Sequence, residues 1–385
     1  MSAPTSMAKE LLARLVAFDT TSANSNIPLI EFVESYLSGH HIASRRVPTP
    51  DGQKASLFAT VGPSGIGGLA LSGHTDVVPV SGQSWHTDPF TLTERDGKLY
   101  GRGVCDMKGF LACVLAMIPQ FKRRKLKMPV HIAFSYDEET GCTGVRPMIA
   151  ELGKSLPRPR MVFVGEPTEM GVVDAHKGPA RWRVEVKGLA AHSSMPQYGV
   201  NAIAHAARLI GELLRMEEEL KAGAQDPRFD PPFTSLQITS IEGGTASNIV
   251  PVACGFGWEI RGLPGFDPLT LEARLKAFAL AERGAMQSRA PEADIDIIAV
   301  NRVAAFAADS ASGIVPLTLR LAGKNAPYAV SYCTEAGLFQ QGGAPAIVCG
   351  PGHIAQAHTA NEFIRITELE KCLIFLERVA DWAEA

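Results

Sequence analysis

Short apolar runs alternate with amphipathic stretches along the first part of the chain, and this alternation most strongly limits the possible folds. Between these runs, apolar residues recur at helical spacing, as in the N-terminal stretch around Leu11 and Leu15. Alternating strands and helices predict βαβ units, in which parallel strands pair and helices cover both faces of the sheet. The first part of the chain is therefore predicted to form a mostly parallel α/β sheet. Its predicted strands are 55–61, 68–72, 130–135 and 160–164.

The pattern changes near residue 180, where the sequence ARWRVEVKG alternates apolar and polar residues as a half-exposed strand does. A β-α-β-β-α-β order follows, which predicts a small ferredoxin-like domain whose exposed sheet edge suits a dimer contact. After residue 300 the α/β rhythm returns. We therefore predict one catalytic domain in two parts, 1–179 and 301–385, interrupted by a dimerisation or lid domain at 180–300.

Composition narrows the class of protein. The chain has 385 residues, 46% hydrophobic and 20% charged, which is typical of a soluble globular protein, and its net charge of −3 gives no sign of nucleic-acid binding. No apolar run is long enough for a membrane span, and Arg14 interrupts the N-terminal run that a signal peptide would need. Seven scattered cysteines without a CxxC pair favour a reducing, cytoplasmic location.

Acidic residues and histidines recur where apolar runs end or where glycine and proline mark turns. Because an open α/β sheet binds its ligand at the carboxyl ends of its strands, these side chains are expected to converge there. Asp106 follows a glycine-rich turn and precedes a helix-forming run. The set consists of His74 and Asp76, Asp106, the pair Glu138 and Glu139, Glu166, and His358.

Imidazole and carboxylate ligands without a thiolate cluster suit zinc, and also cobalt or manganese. Asp106, Glu139 and Glu166 carry three negative charges, and a hydroxide would add a fourth, which two divalent cations neutralise. Within the Glu138–Glu139 pair, one carboxylate can bind metal while the other accepts a proton. Hydrolysis by a metal-bound water requires this division of roles.

A family resemblance rests on motifs that follow one another along nearly the whole chain. In this order, the motifs resemble the dinuclear zinc aminoacylase and carboxypeptidase family. Within that family, SYCTEAG and GRGVCDMKGF are most similar to members that deacetylate N-acetyl-L-ornithine. The ordered motifs are GHTDVVPV, WxxDPF, DGKLYGRGVCDMKG, DEETG, GEPT, AHSS, ASNIVP and GPG…AHTANE.

The resemblance implies a role for each candidate residue. One Zn²⁺ would be held by His74, Asp106 and Glu166, and a second by Asp106, Glu139 and His358, with Co²⁺ as a possible substitute. Asp76 would orient the His74 imidazole, and Glu138 would act as the general base. His192 would stabilise the oxyanion across a homodimer. The implied substrate contacts are Asn248, Arg261 and Glu335.

The resemblance implies a cytoplasmic, zinc-dependent amidohydrolase that converts N-acetyl-L-ornithine to ornithine and acetate through a metal-bound water, a step of arginine biosynthesis. Another N-acyl amino acid, such as N-succinyl-diaminopimelate, is the first alternative. A catalytically silent protein that binds acyl amino acids, or a scaffold that dimerises through the inserted domain, are alternatives from other classes. No nucleic-acid or membrane partner is expected.

Several residues keep a structural alternative. His353 lies five residues before His358 in the same loop, and the residues alone do not choose between them. His192 could cap a turn with Ser193 and Ser194, and Glu335 could simply begin a helix. Arg261 could be a surface charge on a strand, and Asn248 could satisfy a local turn.

Overall fold

The computed structural model describes residues 3–385, which divide into two compact units. The first unit contains the described residues up to Asp174, together with Phe306–Tyr328 and Thr334–Ala385. The second unit contains Ala175–Ala305 and Ala329–Cys333. Each unit has a hydrophobic core of its own.

The strands, in chain order, are β1 (Ser44–Pro48), β2 (Ala55–Val61), β3 (Leu69–His74), β4 (Thr93–Arg95), β5 (Lys98–Tyr100), β6 (Val130–Ser135), β7 (Met161–Pro167), β8 (Val173–His176), β9 (Gly178–Lys187), β10 (Ser235–Gly243), β11 (Ala253–Gly262), β12 (Asp294–Arg302), β13 (Phe306–Ala307), β14 (Tyr328–Val330), β15 (Ala346–Gly350) and β16 (Phe363–Arg365). The α-helices are α1 (Ala3–Val16), α2 (Ile27–Gly39), α3 (Lys108–Arg123), α4 (Val145–Glu151), α5 (Ala202–Ala222), α6 (Leu269–Gln287), α7 (Ile314–Ala322), α8 (Ala336–Gln341) and α9 (Ile366–Glu384).

A nine-stranded sheet forms the centre of the first unit, in the order β1-β2-β6-β3-β7-β15-β8-β13, with β14 beside β8. The central pairs β6–β3, β3–β7 and β7–β15 are parallel, whereas β1–β2 and β2–β6 are antiparallel. Every residue of β3 and β6 is buried, so both faces of the sheet are covered. The predicted mostly parallel sheet with helices on both faces is confirmed.

Helices α1, α3 and α9 pack against one another and share the main core of this unit, with buried residues such as Leu12, Leu115 and Leu376. Helix α3 lies very close to β7 because Gly165 has no side chain. A Cβ atom added at Gly165 would lie 2.2 Å from atoms of the Phe110 ring. This close approach brings the start of α3, just after Asp106, over the strand that carries Glu166.

The second unit is a four-stranded antiparallel sheet in the order β10-β11-β9-β12, with α5 and α6 packed against it. Its β-α-β-β-α-β chain order is the ferredoxin-like order that the sequence predicts. Trp182 and Trp258 pair directly across β9 and β11, and their rings stack with centroids 4.1 Å apart. Both rings are buried and anchor the core of this unit.

Periodicity locates the long elements well and misses the shortest ones. Strands β2 and β6 have the predicted bounds. The sequence-based prediction does not contain the three-stranded sheet β16-β5-β4. A three-residue strand is too short for a period of two to be recognised.

None of the helices described between residues 3 and 385 is long and apolar enough to cross a membrane.

Helix α5 provides a matched test of its buried face. Leu213 is 0% exposed, and its neighbour Leu214 is 48% exposed. We expect Leu213→Ala to lower the free energy of unfolding by about 2–5 kcal/mol, because it removes buried apolar contacts and leaves a cavity. Leu214→Ala should change it by less than about 1 kcal/mol. Urea unfolding followed by circular dichroism measures both, and equal losses would contradict the observed orientation of α5.

Candidate metal centre

The strand order places four of the predicted ligand positions at one edge of the sheet. His74 is the last residue of β3, Glu166 lies near the end of β7, and Glu139 follows β6 closely. These three strands are neighbours and run in parallel. Asp106 lies two residues before the first residue of α3, in the turn that follows β5. Parallel pairing explains why residues far apart in sequence meet here.

The ligand candidates are in contact within the first unit. His74 Nε2 lies 3.0 Å from Asp106 Oδ1, and His358 Nε2 lies 3.2 Å from Asp106 Oδ2. His358 Nε2 is also 3.0 Å from Glu139 Oε2, and His74 Nε2 is 3.8 Å from Glu166 Oε1. Asp106 therefore lies between two halves, one formed with His74 and Glu166 and the other with Glu139 and His358.

Burial makes this concentration of charge costly. The side chains of Asp106, Glu139 and Glu166 are at most 7% exposed. Burial and the charge of Asp106 raise the pKa of Glu139 to about 7, and the same causes raise the pKa of Glu166 well above its ordinary value. Hydrogen bonds to Asp106 and Glu139 raise the pKa of His358 to about 10. Three buried carboxylates therefore require positive charge beside them.

The donor set fits divalent cations. Glu166 Oε1 is buried and has no hydrogen-bond partner among residues 3–385, which leaves an oxygen directed at the cluster without a protein donor. The other ligand candidates supply carboxylate oxygens and imidazole nitrogens. Such a set suits zinc, cobalt or manganese rather than soft metals that need thiolates.

Asp76 orients two parts of the centre. His74 Nδ1 lies 2.9 Å from the backbone carbonyl oxygen of Asp76 and 3.4 Å from its carboxylate. The same carboxylate accepts hydrogen bonds from the Ser22 hydroxyl and from the backbone N–H groups of Glu138 and Glu139, at 2.7, 3.1 and 3.3 Å. Asp76 thus holds the Glu138–Glu139 segment as well as the imidazole, and sequence reasoning missed the first of these contacts.

Glu138 is half-buried beside Glu139. Its carboxylate accepts a hydrogen bond from the Cys142 thiol at 3.3 Å. The adjacent Asp137 pairs with Lys54. Glu138 and Glu139 therefore have different partners, since Glu139 contacts His358.

A buried ion pair that sequence reasoning also missed supports Asp106. Glu362 accepts hydrogen bonds from Arg102 at 2.8 Å and from the backbone N–H groups of Gly103, Cys105 and Asp106 at 2.8–3.1 Å. The Arg102 and Glu362 side chains are each 1% exposed. The sequence contains little indication of this pair, because nothing in the local pattern shows that the Arg102 charge, in a glycine-rich turn, is buried.

The structure shows which of the two histidines, His353 or His358, lies with the ligand candidates. His358 Nε2 contacts Asp106 and Glu139, whereas His353 Nδ1 accepts the N–H of Ala355 at 3.1 Å and caps a short 3₁₀-helix. His353 therefore has a structural partner of its own. Of the two histidines, His358 is the one that lies in the cluster.

Of the remaining predicted site residues, Glu335 lies in the first unit, whereas His192, Asn248 and Arg261 belong to the second unit. Glu335 is buried in the first unit, where Ser135 Oγ donates to its Oε1 at 2.6 Å; burial raises the pKa of Glu335 to about 7. His192, in the second unit, is exposed, and its Nδ1 lies 2.7 Å from Ser194 Oγ. The Asn248 carbonyl accepts the N–H of Ser193, and Arg261 donates to Glu259.

Sequence and structure comparisons identify relatives of this fold and site. A model of peptidase family M20/M25/M40 matches residues 70–382. An acetylornithine deacetylase from Myxococcus xanthus is 38% identical over 372 residues, covering 95% of each chain. The M20 family metallo-carboxypeptidase Sso-CP2 from Sulfolobus solfataricus has a TM-score of 0.77 at 18% identity, covering 98% of this chain and 99% of the other. A dinuclear metal binding M20 peptidase from Bacillus subtilis has a TM-score of 0.63 at 15% identity, covering 98% of each chain.

The fold and the imidazole–carboxylate cluster define a metal-dependent hydrolase. The chain belongs to peptidase family M20/M25/M40. Within this family it is similar to proteins named acetylornithine deacetylase, which are 34–38% identical over most of the chain.

The buried pair gives a stability prediction. We expect Glu362→Gln to lower the free energy of unfolding by about 3–5 kcal/mol, because it leaves the Arg102 guanidinium buried without an anionic partner. The matched control is Glu94→Gln, which breaks the surface pair with Lys9, where Glu94 is 46% exposed. The control should cost less than about 1 kcal/mol. Urea unfolding measures both variants, and similar losses would show that the buried pair is not a support of the Asp106 turn.

Proposed function

We propose that this protein deacetylates N-acetyl-L-ornithine to ornithine and acetate. The observation that carries the proposal is the position of Asp106 between two imidazoles, His74 and His358, with Glu138 next to the ligand candidate Glu139. The relatives named acetylornithine deacetylase support this substrate. A role in arginine biosynthesis belongs to the same proposal.

The residues present would hold two zinc ions, for which cobalt could substitute. His74, Asp106 and Glu166 would hold one ion, and Asp106, Glu139 and His358 the other. When bound, such ions lower the pKa of a water molecule toward neutrality and polarise the substrate carbonyl. Unpartnered Glu166 Oε1 and the charge excess of three buried carboxylates support this assignment.

Glu138 is proposed to take the proton of the attacking water and to return it to the leaving amine. A proton-transfer group must keep a fixed position, and Asp76 supplies this by accepting the N–H of Glu138. Glu139 cannot transfer this proton when its oxygens bind metal. Glu139 is therefore proposed as a metal ligand and Glu138 as the general base. The amine then leaves protonated.

Four further residues are proposed to act on the substrate. Arg261 and Asn248 would bind the carboxylate and carbonyl groups, and Glu335 the side-chain ammonium of an ornithine-like substrate. His192 would stabilise the oxyanion from the partner subunit of a homodimer. A cytoplasmic location belongs to the same proposal.

A substrate panel tests the reaction. We expect the zinc- or cobalt-loaded protein to release amine fastest from N-acetyl-L-ornithine, and more slowly from N-succinyl-diaminopimelate and N-acetyl-methionine. A chelator should abolish release, and added metal should restore it, since the carboxylate cluster is arranged for cations. Preference for another substrate would replace acetylornithine while keeping the metal chemistry. Tight binding of these compounds without turnover would instead indicate a binding protein.

The proposed base has a matched control in its neighbour. We expect Glu138→Gln to keep the metal content and lower kcat by about 10²–10⁴-fold, because the amide cannot accept the proton. Asp137→Asn changes the adjacent carboxylate, which pairs with Lys54, and should lower kcat much less. Steady-state kinetics with metal analysis of each variant measures this. An unchanged kcat in Glu138→Gln would remove Glu138 as the base.

A further inference from the structure

Gln83 connects three parts of the first unit through one side-chain amide. Its Nε2 donates to the backbone carbonyl of His358 at 2.8 Å. Its Oε1 accepts the indole N–H of Trp85 at 3.2 Å and a hydrogen bond from the Arg102 guanidinium. The Arg102 guanidinium also lies over the Trp85 ring, 5.0 Å from its centroid.

Only one orientation of the Gln83 amide satisfies these contacts. Arg102 and the Trp85 indole are donors, so both need the amide oxygen, whereas the His358 carbonyl is an acceptor and needs the amide nitrogen. If the amide were flipped, its NH₂ group would face the N–H donors of Arg102 and Trp85. Its oxygen would then face the His358 carbonyl oxygen, and no hydrogen bond could form on either side. The surrounding groups therefore determine the direction of the Gln83 amide.

His358 has the greatest need of such a contact among the five ligand candidates. Its side chain is 52% exposed, whereas those of His74, Asp106, Glu139 and Glu166 are at most 7% exposed. Its backbone φ is +61°, in the left-handed region. Residues other than glycine rarely adopt this conformation unless contacts with surrounding groups impose it. Packing alone therefore holds the His358 imidazole less firmly than the other candidates.

We propose that Gln83 is a positioning residue for the metal centre: its amide N–H holds the His358 backbone so that the imidazole meets Asp106 and Glu139. The inference rests on the proposed dinuclear function. It adds a specific consequence, since Gln83 supports the half of the centre formed by Glu139 and His358. In the other half, Asp76 holds the His74 imidazole, and His74 and Glu166 lie in strands β3 and β7.

Asn361 also connects the loop of Gln83 to the loop of His358. A substitution at Gln83 should therefore change the contact with His358 without separating the two loops. Asn361 Oδ1 accepts the N–H of His86 at 2.7 Å, and Asn361 Nδ2 donates to the Ser84 carbonyl at 3.3 Å. These contacts do not involve Gln83. The segment after His358 should therefore stay docked when the Gln83 contact is lost.

Gln83→Glu isolates the proposed contact. A glutamate keeps an oxygen for Arg102 and for the Trp85 indole but has no N–H to donate to His358. Its added negative charge would by itself strengthen binding of a nearby cation, so weaker binding cannot be attributed to that charge. The matched control is Gln287→Glu, where Nε2 donates to the Ala293 carbonyl at 3.0 Å in the second unit.

The experiment is a Co²⁺ titration of the chelator-treated full-length protein, followed by visible absorption and by the cobalt bound per chain. The wild type and Gln287→Glu should bind two equivalents. In Gln83→Glu we expect one equivalent to bind as in the wild type and the other about tenfold more weakly, the size of effect that outer-shell partners of metal ligands have. Equal binding of both equivalents, or equal weakening of both, would overturn the proposal.

A double-variant comparison shows whether Gln83 acts through His358. Against a His358→Ala background, Gln83→Glu should change cobalt affinity no further, because the imidazole that it positions is absent. Independent, additive losses would overturn the proposal. A wild type that hydrolyses acyl amino acids but binds one equivalent would overturn it while keeping the reaction, and a wild type that binds no cobalt would contradict the proposed function itself.

Discussion

The structure of the first unit depends on the electrostatics of Asp106 between two imidazoles. A buried carboxylate is stable when cationic or hydrogen-bonding groups compensate for lost solvation, and here His74 and His358 approach its two oxygens. Glu139 and Glu166 increase the negative charge of the same buried volume. The sheet brings these charged side chains together from separate strand ends.

Two further buried carboxylates hold the segments that carry this cluster. Asp76 accepts backbone N–H groups from the Glu138–Glu139 turn, and Glu362 accepts those of the turn that ends at Asp106. Backbone amides in turns have no partners from a helix or sheet, so a carboxylate is an effective way to satisfy several at once. The turns that carry Asp106, Glu138 and Glu139 are therefore held in place by two other carboxylates, those of Glu362 and Asp76.

Sequence reasoning recovered much of this arrangement where the local pattern is strong. Apolar runs such as 130–135 predict strands because burial on both faces requires continuous hydrophobicity. His74 and Glu166 were recognisable because a polar residue that ends such a run lies at the sheet edge. Choosing His358 over His353 needed the family resemblance, and the roles of His192, Arg261 and Asn248 remain predictions. Strands β4, β5 and β16 escaped because three residues carry no readable period.

By itself, the sequence determined the alternation of helices and strands, the ferredoxin-like order of the second unit and the residue types available for a metal centre. These follow from hydrophobic spacing and side-chain chemistry, which are local properties of the chain. Tertiary structure alone decided that Glu362 supports the turn that ends at Asp106 and that the Gln83 amide faces the His358 carbonyl. Those contacts join residues as many as 275 positions apart in the chain, and only the packing of the strands and loops sets such distances.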